Sequence, residues 1–282
     1  MENVVLVGVD GSPESRGAAS WALHEAEVRQ WPVWFAYVFP KPTIADPAVD
    51  SAYLRASHRT AQLIFDELEA EAKARGIQVQ SVALPGRANE VLVKLSNDAG
   101  LNVVGRRSHS GFSARLGSVS SALAAHSRCP TAVIPHGWGR RPAGQVTGNG
   151  PSASAGQIVA AVEPGPGALN VLSAAAGLAQ RDSISLRVVS VASNQHEEAG
   201  DSSLSELLAQ VEKQYHGLEC SVHFLSGKPA TEIAHAARDA VLLVVGTRGF
   251  GGLSGFMHGS VSQALLRQMA SPMLVVPNSI PD

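Results

Sequence analysis

Val103-Val104-Gly105, Gly117-Ser118-Val119-Ser120 and Pro130-Thr131-Ala132-Val133-Ile134-Pro135 return later in the chain. Their second copies are Val244-Val245-Gly246, Gly259-Ser260-Val261-Ser262 and Pro272-Met273-Leu274-Val275-Val276-Pro277. Upstream, Gly86 precedes Gly105 by the same interval that separates Gly227 from Gly246. Anchors that recur in one order at near-constant spacing identify a tandem duplication, and so long a period means two domains and not a solenoid. The length of 282 residues agrees, because one domain takes roughly 100–200 residues. Residues 137–156 are rich in Gly, Pro and Ser, show no apolar period and carry Arg140-Arg141; this composition reads as a linker. The expected division is a first domain over 1–136, the linker over 137–156 and a second domain over 157–282.

Each repeat alternates apolar strand-like runs with helical patterns. Strands are expected over 3–9, 33–39, 77–84, 101–105 and 131–134, with helices over 13–30, 51–75, 88–97 and from Ser118. Pro13 suits a helix start, and Ala18, Ala22 and Ala26 line one side of that helix. Leu54, Ala61, Ile64, Phe65, Leu68 and Ala72 follow helical spacing in the next. In the second repeat, strands are expected over 157–162, 184–191, 218–225, 241–245 and 272–276. Helices over 167–181, 202–216 and 230–238, and one before Pro272, alternate with them. Five strands alternating with four helices predict an α/β fold of two tandem, doubly wound, five-stranded parallel sheets with helices on both faces. Ligands on such sheets bind beyond the strand C-terminal ends at the topological switch, which directs attention to the loops after the first and fourth strands.

Composition excludes several classes. Hydrophobic residues form 45% and charged residues 16% of the chain, which argues against wholesale disorder. A net charge of −2 argues against a dedicated nucleic-acid binder. Two cysteines, Cys129 and Cys220, exclude a disulfide scaffold and a cysteine-based zinc site and read as small buried hydrophobes. Met1-Glu2-Asn3 lacks the basic start of a secretory leader, and no apolar run is long enough to span a bilayer. A cytoplasmic protein without membrane partners is therefore expected.

The loop after the fourth strand of the second repeat reads Gly246-Thr247-Arg248-Gly249-Phe250-Gly251-Gly252-Leu253-Ser254-Gly255-Phe256-Met257-His258-Gly259-Ser260. Glycines between a strand and a helix let backbone approach a ligand closely. The helix start adds N–H donors and positive partial charge suited to phosphate, and Arg248 adds a charged donor. Ser260 is placed to cap the last helix or to present its hydroxyl. Glycine content alone is equally compatible with tight turns in a surface loop.

Gly-x-x-Gly followed nine residues later by Gly-Ser resembles the nucleotide-binding signature of the universal stress protein family. Val7-Gly8-Val9-Asp10-Gly11-Ser12, the repeated Gly-Ser-Val-Ser, and the Cys-Pro and Ser-Pro steps before the final strands are similar to that family too. The resemblance covers both repeats and spares only the linker. It implies an adenine nucleotide alpha hydrolase-like, Rossmann-like fold that binds ATP, with the first-strand aspartate near the adenosine and the glycine loop on the phosphates. Carried onto this chain, the first site comprises Gly8, Asp10, Gly105, Arg106, Gly117, Ser118 and Val119. The second comprises Ala161, Glu163, Gly246, Thr247, Arg248, Gly249, Gly259, Ser260 and Val261. It further implies that final strands pair between domains, giving an internal pseudo-dimer; a homodimer of two chains is compatible with apolar final strands at a sheet edge, and the sequence does not fix it.

Each repeat departs from the pattern. In the first, Ser108 replaces the second glycine, the loop is one residue shorter, and Arg106, Arg107 and His109 add positive charge. In the second, the loop is complete, but Glu163 stands in place of aspartate and is followed by Pro164. Because phosphates carry most of the charge to be matched, the second repeat is expected to bind nucleotide better. Asp10 and Glu163 also read as helix-cap or solvated carboxylates.

Other chemistries lack their residues. There is no Gly-x-x-x-x-Gly-Lys-Ser/Thr run, and Gly8-Val9-Asp10-Gly11 lacks the dinucleotide fingerprint. Gly252-Leu253-Ser254-Gly255 falls one residue short of a hydrolase elbow. The ten histidines form no His-x-x-x-His pair, so no protein metal site is expected. Mg2+ accompanying ATP is compatible, since phosphate oxygens supply most of its ligands. His58, His109 and His258 read as exposed polar residues, and residues 40–50 as a contact loop or a surface excursion. With no general base evident, a nucleotide-dependent regulatory or stress-response protein is favoured over an enzyme, and no catalytic residue is assigned. A slow ATPase or adenylating enzyme and a scaffold with vestigial pockets are the alternatives; hydrolysis or autophosphorylation at Ser108, Ser118 or Ser260 is compatible with the loops.

Overall fold

The computed structural model describes residues 3–42, 47–106, 117–138, 156–192, 197–247 and 260–278. They form two compact units. The first contains β1 (Val5–Val9), α1 (Pro13–Arg29), β2 (Val33–Phe39), α2 (Pro47–Ala74), β3 (Val79–Pro85), α3 (Ala88–Leu95), β4 (Leu101–Gly105), α4 (Ser118–His126) and β5 (Thr131–Ile134). The second repeats the order: β6 (Ile158–Ala161), α5 (Ala168–Asp182), β7 (Leu186–Ala192), α6 (Glu197–Gln214), β8 (Cys220–Ser226), α7 (Pro229–Ala236), β9 (Leu242–Gly246), α8 (Ser260–Gln268) and β10 (Met273–Val276).

The expected α/β architecture is observed. Strands of the first unit run in the order β3-β2-β1-β4-β5, and those of the second in the order β8-β7-β6-β9-β10. Every strand pair within each unit is parallel. The apolar runs Val5–Val9 and Leu242–Gly246 are buried almost throughout, as strands covered on both faces require. The chain reverses direction across the sheet at β1 and β4, so their C-terminal ends form the crevice expected at a switch point.

Packing follows from residue size. Ala18, Ala19, Ala22 and Ala26 of α1 are wholly buried, and their small side chains let the helix lie close to the sheet. Ala61, Phe65, Leu68 and Ala72 give α2 its buried stripe, with Leu54 and Ile64 half-buried beside it. An Arg16–Glu67 ion pair at 3.3 Å links α1 to α2, and Arg75, just past the end of α2, pairs with Glu27 of α1 at 3.6 Å. Helix α2 begins at Pro47, ahead of the expected start. Proline fits a first helical position because the N–H it lacks has no intrahelical partner there, and Val49, 43% exposed, adds nothing to the apolar stripe. Helix α6 likewise starts early, at Glu197, and the remaining ends differ from expectation by a few residues, as fraying ends do. Residues 43–46, within the expected surface excursion, lie outside the described residues.

The two cysteines differ. Cys129 is fully buried; burial pushes its thiol from the ordinary 9.0 up to about 11, against opposing hydrogen bonds led by Ser127. Cys220 is only half-buried in β8, which corrects the expectation of a core residue. As an outer strand β8 has neighbours on one side only, so half of its surface stays open. Burial, followed by the charge of Glu212, raises the Cys220 thiol as well. His58 is exposed, as expected, with its ring edge-on to Phe39 at 5.4 Å.

Candidate functional site

The first unit places a cavity of about 220 Å3 at the C-terminal ends of its central strands. Gly8, Asp10, Gly105, Gly117, Ser118 and Val119 all line it, so the residues expected at the first strand, the fourth strand and the fourth helix converge. The strand alternation explains how. Cβ of a residue placed at Gly8 would lie 2.9 Å from Leu92 and 3.2 Å from Val104, so this face of the sheet looks toward α3. Gly105, next along β4, points the other way, and a Cβ there would stand 2.5 Å from the Glu14 backbone oxygen. Successive strand positions address opposite faces, so α1 and α3 cover opposite sides and the cavity opens between β1, β2 and α3.

The β1–α1 turn is built by short polar side chains. One Asp10 carboxylate oxygen accepts the Ser12 hydroxyl at 2.5 Å and the Ser12 N–H at 3.0 Å. Ser12 in turn accepts the Ser15 N–H at 3.1 Å and caps α1, while Ser15 Oγ accepts the Asp10 N–H at 3.3 Å. This is an aspartate turn fused to a serine cap. Asp10 is exposed at the cavity mouth and fastens the turn, but the cap of α1 is Ser12, which corrects the helix-cap reading of Asp10. Glu14, in the first turn of α1, accepts from His136 Nδ1 at 3.1 Å.

Arg106 continues β4 by donating its N–H to Ile134 at 2.8 Å. It is half-buried, and burial lowers its pKa below the ordinary arginine value. Ser118 is the exposed first residue of α4, and Gly117 is its cap without a side-chain bond. Arg107, Ser108 and His109 lie outside the described residues.

In the second unit, Ala161 ends β6 and is buried, while Glu163 is half-buried just beyond it. Gly246 ends β9, and Thr247 repeats the Arg106 arrangement by donating its N–H to Val276 at 3.0 Å. The Thr247 hydroxyl donates to Asn278 Oδ1 at 3.3 Å, and Asn170 donates to the Asn278 backbone oxygen at 2.8 Å. Ser260 is the first described residue of α8. Val261 is half-buried in the same turn. Arg248, Gly249, Gly259 and His258 lie outside the described residues.

Motif spacing did not reveal the apolar wall of the first cavity. Ala36, Val38, Ala88 and Leu92 supply it. Ala36 pairs with Gly8 across β1 and β2, so only the strand register brings it to the site. No group of three or more His, Cys, Asp or Glu residues able to hold a metal occurs among the described residues. No helix among them is long and apolar enough to cross a membrane.

Comparison with known proteins decides the family. The Universal stress protein family model matches residues 1–135 and 155–277. The chain belongs to the universal stress protein family. A universal stress protein of Mycobacterium tuberculosis strain H37Rv is 26% identical over 292 residues, covering 98% of this chain and 97% of the relative. Another, from Mycobacterium bovis, is 29% identical over 296 residues with the same coverage. Among solved structures, a universal stress protein from Archaeoglobus fulgidus DSM 4304 matches with a TM-score of 0.76 at 20% identity. That match covers 99% of this chain and all of the other. It shows a shared fold.

Proposed function

We propose that this universal stress protein binds adenine nucleotide, ATP in the first instance, and acts as a nucleotide-dependent regulatory protein. The observation that carries the reading is the cavity in which Gly8, Asp10, Gly105 and Gly117-Ser118-Val119 meet. Its small and apolar wall, from Ala36, Val38 and Leu92, suits a flat purine, and Asp10 at the mouth suits a ribose hydroxyl. The N-terminus of α4 supplies N–H donors and positive partial charge for phosphate. Arg106 and, in the second unit, Thr247 with Arg248, Gly249, Gly259, Ser260 and Val261 extend the same role to both loops. Mg2+ would enter with the nucleotide, held mainly by phosphate oxygens.

Binding without efficient turnover is the preferred mode, because the described lining of the cavity is mostly glycine, small apolar side chains and serine hydroxyls, which suit holding a ligand more than activating water. ATP then favours whichever conformation or association state it prefers; pairing between the two domains and between two chains belongs to the same reading.

Titration of the intact protein with ATP and Mg2+ by isothermal calorimetry tests the proposal, together with mass spectrometry of nucleotide released from purified protein. Saturable binding weakened at least tenfold by Asp10→Ala supports it. Absence of nucleotide and of a binding isotherm favours the scaffold reading. Multiple-turnover phosphate release far above that of the Asp10→Ala variant favours the enzyme.

A further inference from the structure

The two units differ at the floor of the nucleoside cavity. In the first, Gly8 on β1 lies opposite Ala36 on β2. The second unit has the same register, with Ala161 on β6 opposite Val189 on β7. Identical pairing to the fourth strand fixes the equivalence, since Gly8 pairs with Val104 and Ala161 with Val245. The third small residue of the cavity wall, Ala88, opens α3, and its counterpart Pro229 opens α7.

Each of these changes adds volume at a position whose first-unit counterpart lines the cavity. Glycine becomes alanine, alanine becomes valine, and alanine becomes proline. Side chains at paired positions of neighbouring strands project to one face of the sheet, so the added methyl groups of Ala161 and Val189 stand side by side. Ala161 is buried at 1% exposure where its counterpart Gly8 is half-buried at the open cavity, and Val189 and Ile233, the counterparts of Ala36 and Leu92, are 0% exposed. In the first unit a Cβ at Gly8 alone would already come within 2.9 Å of Leu92. A close-packed interior leaves no slack for a purine ring where three side chains have grown.

The turn that faces the nucleoside differs as well. Asp10-Gly11-Ser12-Pro13-Glu14 has the serine cap described above, whereas Glu163-Pro164-Gly165-Pro166-Gly167 carries no capping side chain. Helix α5 starts only at Ala168, and Gly167 adopts φ 89° with Asn278 folded against it.

We infer that the chain holds one adenine nucleotide, in the first unit, and that Ala161, Val189 and Pro229 close the corresponding nucleoside pocket of the second. This inference rests on the nucleotide reading and ranks the units opposite to their glycine spacing. The second loop keeps its phosphate pattern but lacks room for the base that would anchor a nucleotide there.

Calorimetry and native mass spectrometry with ATP and Mg2+ give the stoichiometry, and hydrogen exchange gives the place. Wild-type protein is expected to bind one ATP, slowing exchange in residues 8–16 and leaving residues 161–169 unchanged. The Gly8→Ala/Ala36→Val double variant transplants the closed floor into the first unit and should weaken binding at least tenfold. Ala161→Gly/Val189→Ala opens the second floor and should raise the stoichiometry to two. Far-UV circular dichroism confirms that each variant is folded; if one unfolds, wild-type stoichiometry and exchange still decide. Two ATP per wild-type chain, or a single ATP protecting residues 161–169 and not residues 8–16, overturns the inference and leaves the nucleotide reading standing. No ATP bound by wild-type protein overturns both.

Discussion

Gly105 and Glu14 meet so closely that a Cβ on Gly105 would stand 2.5 Å from the Glu14 backbone oxygen and 2.6 Å from its carbonyl carbon. The C-terminal end of β4 therefore touches the first turn of α1 backbone to backbone, and the glycine is required by packing. Glycine at this position reads in the sequence as part of a phosphate cradle. The structure gives it a second duty, holding the mouth of the cavity together.

Gly105→Ala is accordingly expected to destabilise the protein by about 1–3 kcal/mol, the usual cost of overpacking against atoms that cannot move aside. Urea denaturation measures this directly. An unchanged midpoint would show that β4 and α1 separate without cost.

Ser12→Ala removes the cap of α1 and the hydroxyl that holds Asp10. Loss of such a cap costs roughly 1 kcal/mol. Because Asp10 loses the Ser12 hydroxyl and keeps the Ser12 N–H, its carboxylate is held less firmly and ATP affinity should fall together with stability. Chemical denaturation and calorimetry on one preparation test both effects, and unaltered affinity would separate the turn from the site.

Gly167→Ala places a side chain at φ 89° and within 2.7 Å of Asn278 Oδ1. A strained backbone position of this kind costs on the order of 1–3 kcal/mol. The second-unit variant should unfold at lower urea while ATP binding to the first unit persists. Loss of first-unit ATP binding together with stability would show that the variant disturbs both units.

The Cys129 thiol yields an alkaline signature. Its folded pKa, about 11, lies above the ordinary 9.0, so the native state keeps a proton that the unfolded chain releases. The stabilisation is complete below pH 9 and is lost as pH rises from 9 toward 11, amounting to on the order of 2–3 kcal/mol at one pKa unit per 1.36 kcal/mol. Cys220 is raised in the same direction and adds to the loss. Stability measured against pH should fall over this window, less steeply in Cys129→Ala. In the native protein at neutral pH a thiol reagent should label half-buried Cys220 before Cys129.

Much of this architecture is legible in the residues. The duplicated anchors announce two units, and alternating strand and helix periods announce parallel sheets. Alanines at helical spacing mark the buried side of α1, and all of them are buried. Helix starts were less legible where the first turn carries exposed residues, as at Val49. Of the site, the sequence marks Gly8, Asp10 and Gly117-Ser118-Val119 because their chemistry is local: a turn, a glycine, a helix start.

The amino-acid sequence by itself determined the tandem repeat, the fold class, the family resemblance and the loops at the switch points. These depend on order, spacing and period, which a chain carries before it folds. Tertiary structure alone decided that Ala36 and Leu92 wall the cavity and that Gly105 packs on Glu14. It also set Ala161 beside Val189, where Gly8 lies beside Ala36 in the first unit. Those relations join residues far apart in the chain through strand register and helix packing, and the space left between them is a property of the assembled sheet.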